Sequence, residues 1–299
     1  MAPAVRFTHI VNPFTPKAVS EHERAQRITL ASMRDAIEEA TRAGLTVEAL
    51  GAAFEIDAPA VAEPLRPTAP LERSAQDFPA LAGVRPLPLL AEILARGAEE
   101  GAGDYLVFTN IDIGLQPHFY VAVDARLRRD ERAGRATRPL VINRRTIADH
   151  YPGPEELDAM RADRGRRHPG FDCFVFPRAW VARMQLGDAL VGAPWLGSLL
   201  VANLDALSGW RVTIERFAHL TFHLGDDKAW GSDTDLARHN IETATACIER
   251  LADDHGPAPR GCEFDRLRAR AQGRPIPARP LRARLRRSSE KWRRLLVQA

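Results

Sequence analysis

The chain has 299 residues, 45% of them hydrophobic, which allows one large α/β domain or two modest ones around a real core. No apolar run reaches the roughly 18 residues of a membrane span, and "MAPAVRFTHIVNPFTP" lacks the regions of a secretory leader, so a cytoplasmic protein without a transmembrane segment is expected. The net charge of +3 hides an acidic body and a basic end: Arg260 to Ala299 carry 13 Lys or Arg against three acids, a surplus of ten that leaves residues 1–259 at −7.

"VRFTHIVNPF" reads as a strand closed by Asn12-Pro13, since Pro cannot donate to a ladder. A helix follows, with Ser20 and Glu23 placed as a capping box, Ile28, Met33 and Ile37 on its apolar face, and Gly44 as its stop. "LTVEALGAAF" alternates as a second strand, so the chain opens as a β-α-β unit with parallel strands. Residues 57–88, rich in Pro and Ala, read as a long loop, and loops of that length usually act as lids or are disordered. "LPLLAEILARGAEEG" has helical spacing and leads into "YLVFTNIDIGLQ", a buried strand ending in Asn110 and Asp112. In an extended segment those two side chains point the same way, at the strand's carboxyl end, where open α/β sheets bind ligands.

"HFYVAVDARLRRD" reads as a helix, "RPLVINRRTI" as one strand and "DCFVFPRAWV" as another. "VGAPWLGSLLVANLDAL" is a buried helix, "RVTIERFAHLTFHLGDD" one or two strands, and "TDLARHNIETATACIERLADDH" an amphipathic helix capped by Ser232 or Asp233. Beyond Gly256 the composition changes. The expected division is a catalytic domain over 1–255 and a basic Arg/Pro-rich extension over 256–299 with a short terminal helix, its stripe Leu281, Leu285, Trp292, Leu295 and Leu296. That extension suits an anionic partner or surface. Nucleic acid is not expected, because no aromatics or reading motif are interleaved with the arginines.

Cys173, Cys247 and Cys262 are widely spaced with no CxxC pair, which argues against a disulfide framework or structural zinc. "VNPFTPKAVS" after the first strand contains no Gly, so P-loop and dinucleotide-binding readings lose support, and there is neither a GxSxG elbow nor HExxH. In "HLTFHLGDD", His219, Thr221 and His223 share a strand face and Asp226 and Asp227 follow. Imidazole and carboxylate together suit a Mg²⁺ or Mn²⁺ also held by ligand phosphates. The same cluster supports a rival reading, a metal-dependent hydrolase using His219, His223, Asp226 and Asp227 around an activated water.

The order of "IVNPF", a capped helix, a second strand, "TNIDIGL", "INRRTI", "HPGFDCFVFP", "GAPWLG" and "HLTFHLGDD" resembles the nucleotide-diphospho-sugar transferase (GT-A) superfamily, in particular bacterial glycosyltransferase-like proteins. The resemblance covers about residues 5–230 and implies a Rossmann-like, mostly parallel sheet flanked by helices. It implies transfer of a sugar from a UDP- or GDP-sugar to an acceptor with help from a divalent metal, Mn²⁺ or Mg²⁺. Asn110-Ile111-Asp112 stands where the family carries Asp-x-Asp, with Asn in place of the first Asp. By that resemblance Val11, Asn12 and Pro13 border the base, Asp112 and His223 hold the metal, and Arg144 and Arg145 meet phosphate. Trp195 stacks on a sugar, and Asp172 and Asp227 are the candidate catalytic carboxylates. The Asn for Asp change also leaves room for a non-catalytic binding protein on a degenerate transferase scaffold.

Overall fold

The computed structural model describes residues 5–16, 21–134, 138–225 and 234–279. The chain begins with β1 (Arg6–Val11), α1 (Glu21–Arg42) and β2 (Thr46–Gly51), and β1 and β2 pair in parallel from Arg6↔Thr46 to Val11↔Gly51. Acidic Glu21 and Glu23 in the first turn of α1 and Arg42 in its last suit the helix dipole. Gly44, at φ +77°, turns the chain out of the helix while Leu45 N–H bonds the Ala40 carbonyl at 2.9 Å. The segment read as a long loop contains a short strand, β3 (Leu65–Pro67), which pairs with β2 at the sheet edge. Its Pro is tolerated because an edge strand needs donors on one side only.

Next come α2 (Leu90–Glu100), β4 (Tyr105–Thr109), β5 (Gly114–Leu115) and α3 (Phe119–Arg132). The run read as one strand over 138–147 divides into β6 (Leu140–Ile142) and β7 (Arg145–Ile147), which lie in different sheets. The chain continues through α4 (Leu157–Ala162), β8 (Arg166–Arg167), β9 (Cys173–Pro177), α5 (Leu196–Leu207), β10 (Thr213–Glu215), β11 (Thr221–Leu224), α6 (Thr234–His255) and α7 (Glu263–Ala271). A 7-stranded sheet runs β10-β6-β9-β4-β1-β2-β3, and only β9 is antiparallel to its neighbours. A 4-stranded sheet runs β5-β11-β7-β8. This is a mixed α/β architecture with a mostly parallel sheet flanked by helices.

Alternation along the strands feeds two cores. Leu106, Phe108, Phe174 and Phe176 face α2, α5 and α6, whereas Val107, Cys173 and Val175 face α1 and α3 through Met33, Ala36, Phe119 and Val123. The compositional break at Gly256 is not a break in packing: Phe264 and Leu267 of α7 belong to the same buried cluster as α5 and α6. The terminal stripe from Leu281 to Leu296, like the caps Ser20, Ser232 and Asp233, lies outside the described residues. No described helix is long and apolar enough to cross a membrane.

One buried polar residue ties the layers together. His9 in β1 is fully buried, with Nδ1 at 2.8 Å from the Tyr120 hydroxyl in α3 and Nε2 at 2.9 Å from Thr109 Oγ1 at the end of β4. Burial pushes its pKa down to about 3, so it folds neutral. An unfolded His binds a proton near pH 6.5, so stability is present above that pH and is lost as pH falls toward 3. We expect His9→Gln to cost about 1–3 kcal/mol at pH 7 but to remove about 3 kcal/mol of the acid-induced loss between pH 7 and 4. Urea unfolding across that range checks this, and parallel curves for the two proteins would contradict it.

Candidate active site

The parallel strands deliver their carboxyl ends to one edge, and β9 enters that edge from the opposite direction. Thr109 of β4, Ile142 of β6 and Cys173 of β9 are neighbours in register. The residues next to them along the chain therefore meet: Asn110 to Asp112, Asn143 and Arg144, and Asp172.

Pairing of β4 stops at Thr109, and the Asn110 carbonyl accepts a 3.3 Å bond from Ile113 N–H. Asn110 to Asp112 is thus a turn, not the extended segment expected from the run. Leaving the large sheet for β5 requires the reversal. Ile111 is buried in the core, and Asp112, the next residue, stands at the seam between the two sheets. Gly114 then lets β11 approach, because a Cβ there would come within 2.4 Å of the Phe222 ring. His223, the next residue, reaches Asp112 with Nε2 at 3.3 Å from Oδ2. His223 Nδ1 lies 3.1 Å from the Gly225 carbonyl, which can only accept, so Nδ1 carries the proton. Nε2 is therefore the nitrogen presented to the Asp112 carboxylate.

Asn143 explains why the predicted strand divides. Its side-chain N–H groups bond the carbonyls of His168, at 3.2 Å, and Gly170, fixing the loop that carries Asp172 and turning the chain from β6 into β7. Arg144 Nη1 is 3.3 Å from Asp172 Oδ1, and both side chains are about nine-tenths buried. Burial raises the Asp172 pKa, assisted by nearby Asp112 and opposed by Arg144 and His168. At Asp112 burial acts in the same sense but is outweighed by His223 and Arg144, and its pKa is lowered. Of the ten buried side-chain polar atoms without a hydrogen-bond partner among the described residues, four lie here: Asp112 Oδ1, Asn143 Oδ1, Arg144 Nε and Asp172 Oδ2. The other six are scattered over the fold, whereas these four belong to neighbouring residues at one edge, an arrangement that suits polar atoms supplied from outside.

The chain is similar to solved structures of low identity. S. aureus TarS in complex with UDP-GlcNAc shares 10% identity at a TM-score of 0.53, over 89% of this chain and 71% of that one. Glucosyl-3-phosphoglycerate synthase from Mycobacterium tuberculosis in complex with Mg²⁺ and UDP gives 17% and 0.46 over 86% and 82%. The catalytic domain of Drosophila beta1,4galactosyltransferase 7 gives 12% and 0.45 over 85% and 83%. The chain has a GT-A glycosyltransferase-like fold. No family model matches the chain, and no curated protein does.

Within the GT-A frame the remaining predicted residues are distributed unevenly. Val11 and Pro13 are buried, the Val11 carbonyl accepts from Ala52 N–H at 3.0 Å, and Asn12 Nδ2 donates to the Ala52 carbonyl at 2.7 Å. They line the neighbouring strand ends β1 and β2. Arg145 does not join Arg144. Its guanidinium donates to the carbonyls of Arg164 and Gly165, at 2.6 and 3.2 Å, on the other side of the alternating chain. Trp195 caps α5 in the left-handed region at φ 71°, a conformation that costs a non-glycine residue on the order of 1 kcal/mol or more. The Arg270 guanidinium lies 4.8 Å from its ring centroid, so one ring face is already covered.

Of the four residues of the rival reading, the two that are described, His219 and His223, engage different partners. His219 precedes β11 and accepts from Gln116 Nε2 at 3.1 Å, beside a hollow of about 580 Å³ that it shares with His118, Arg126 and Arg161. Asp226 and Asp227 lie outside the described residues. No group of three or more His, Cys, Asp or Glu among the described residues is arranged to hold a metal. The pair Asp112–His223 nevertheless fits a divalent ion whose other ligands come from substrate and water, because one carboxylate oxygen is orphaned and the imidazole is set with Nδ1 anchored.

Sequence reasoning passed over His9 and Asn143. Each was visible as a polar residue at or inside an apolar run, "FTHIV" and "LVINRR", but its partners are remote in sequence. Arg144→Met, which strands the Asp172 carboxylate, is expected to cost about 3–5 kcal/mol, and Arg144→Met with Asp172→Leu to recover most of it. Denaturant unfolding decides, and a single-variant loss below about 1 kcal/mol would contradict a coupled buried pair.

Proposed function

We propose that this protein transfers a sugar from a nucleotide-diphospho-sugar, a UDP- or GDP-sugar, to a hydroxyl group of an acceptor. The carrying observation is the concentration of orphaned buried atoms on Asp112, Asn143, Arg144 and Asp172 at the carboxyl edge of a GT-A-like sheet. TarS, the neighbour with the same overall fold at a TM-score of 0.53, is seen with UDP-GlcNAc, a donor of this class.

Asp112 and His223 are the residues that would hold Mn²⁺ or Mg²⁺, and the bound ion supplies positive charge against the leaving diphosphate. Arg144 is anchored by Asp172 through Nη1 and keeps Nε as a donor for a phosphate oxygen. Asp172 keeps Oδ2 as an acceptor for the incoming hydroxyl, and its burial-raised pKa makes it the stronger base of the two carboxylates. Asp227 is the second candidate for that role on sequence grounds. Asn12 and Pro13, at the neighbouring strand end, border the base, and Trp195 the sugar.

Calorimetry with UDP and GDP, with and without Mn²⁺, tests the reading. Metal-enhanced binding of one nucleoside diphosphate is expected. Asp112→Ala should abolish the enhancement and lower any transfer rate by about 10²-fold or more, without a loss of fold, because its side chain is 39% exposed at the seam. Metal binding indifferent to every nucleotide would favour the hydrolase instead.

A further inference from the structure

The 4-stranded sheet has one face turned toward Asp112, and register identifies what that face carries. His223 of β11 is paired with Thr146 of β7, and Thr146 is paired with Arg166 of β8. Paired residues on adjacent strands project from the same face, so His223, Thr146 and Arg166 form a row across three strands. At about 4.8 Å per strand step, the Arg166 backbone lies roughly 10 Å from that of His223. His168, two residues on, acts electrostatically on Asp172. The row therefore leads from the proposed metal pair to an exposed arginine on an edge strand, two residues before the histidine that acts on Asp172.

That arginine departs from the pattern of the body. Arg6, Arg96, Arg128, Arg161, Arg216 and Arg268 all sit within 4.0 Å of a carboxylate. Arg166, by contrast, is exposed, as is Arg164, and neither has a carboxylate within ion-pair distance among the described residues. Next to them Arg167 is held with its guanidinium 4.9 Å from the Phe217 ring centroid. The stretch "RADRGRRH" thus concentrates cations on a body whose first 259 residues carry −7. Charge protects an edge strand from pairing with another chain, but like charges on neighbouring positions repel, and a bound anion would relieve that repulsion.

Resting on the glycosyl-transfer reading, we propose that the acceptor is an anionic molecule: its hydroxyl goes to Asp172, and a phosphate or carboxylate group several ångströms away goes to Arg166. The leaving diphosphate is met by Arg144 and the Asp112–His223 pair, which leaves Arg166, farther along the row, for the second substrate. A planar guanidinium takes either oxyanion through two parallel hydrogen bonds.

The test uses the full chain loaded with Mn²⁺ and whichever of UDP or GDP it binds, titrated with glycerol 3-phosphate, glycerate and neutral glycerol. At least one anionic probe should bind about tenfold or more tighter than glycerol, and the tighter of the two identifies phosphate or carboxylate as the recognised group. Arg166→Glu should erase that preference, Arg166→Lys should retain part of it, and nucleotide affinity should be unchanged in both. Equal binding of all three probes, or a preference unaffected by Arg166→Glu, overturns the inference while leaving the donor reading intact. Failure of the wild-type chain to bind either nucleotide with Mn²⁺ overturns the donor reading, and this inference falls with it.

Discussion

Two carboxylates brought to one partly buried edge cannot both stay ionised without compensation, and the way this protein compensates them organises the rest of the site. Asp112 has His223 and the field of Arg144, and its pKa falls. Asp172 has Arg144 but is more completely enclosed, and its pKa rises. The pair is thereby divided into an anion suited to a metal and a carboxyl suited to proton transfer, without any difference in residue type. The division depends on Arg144 standing between them, which depends on Asn143 breaking the strand immediately before it.

The secondary structure supplies that geometry cheaply. Parallel strands β1, β4 and β6 end on the same side, and antiparallel β9 starts there, so four neighbouring chain segments reach one edge, each a single strand spacing from the next. The second sheet grows directly out of the first, through the turn at Asn110–Ile113 and the break at Asn143–Arg144. His223 belongs to that second sheet and Asp112 to the exit from the first. Their 3.3 Å contact is therefore a contact between sheets, and His9, bonded to both Thr109 and Tyr120, stiffens the strand end from which the turn departs.

Much of this was legible from residue order. The helical faces of α1, α2, α3, α5 and α6 repeat at the period that burial demands, and β1, β2 and β4 appear where short β-favouring runs put them, β1 and β4 buried on both faces. "RPLVINRRTI" and "RVTIERFAHLTFHLGDD" were harder, because each is a continuous β-favouring run whose division between two sheets is decided by remote partners. β3 is three residues long and contains Pro, so local propensity argues against it and only the edge of β2 makes it a strand. At the site, Asp112, His223, Arg144 and Asp172 could be singled out as chemically apt residues in the right order. That Asn110–Asp112 is a turn, that Arg145 faces away, and that His219 is engaged by Gln116 depend on contacts between segments about 20 to more than 100 residues apart.

The central claim is that Asp112 and His223 together hold a divalent ion that also meets the donor diphosphate. Pulsed electron paramagnetic resonance of Mn²⁺ bound to the full chain in the presence of UDP or GDP reads this directly. The account predicts nitrogen hyperfine coupling from one imidazole, lost in His223→Ala, together with phosphorus coupling from the nucleotide. A spectrum with phosphorus coupling but no imidazole nitrogen, or one unchanged from Mn²⁺–nucleotide free in solution, would contradict it.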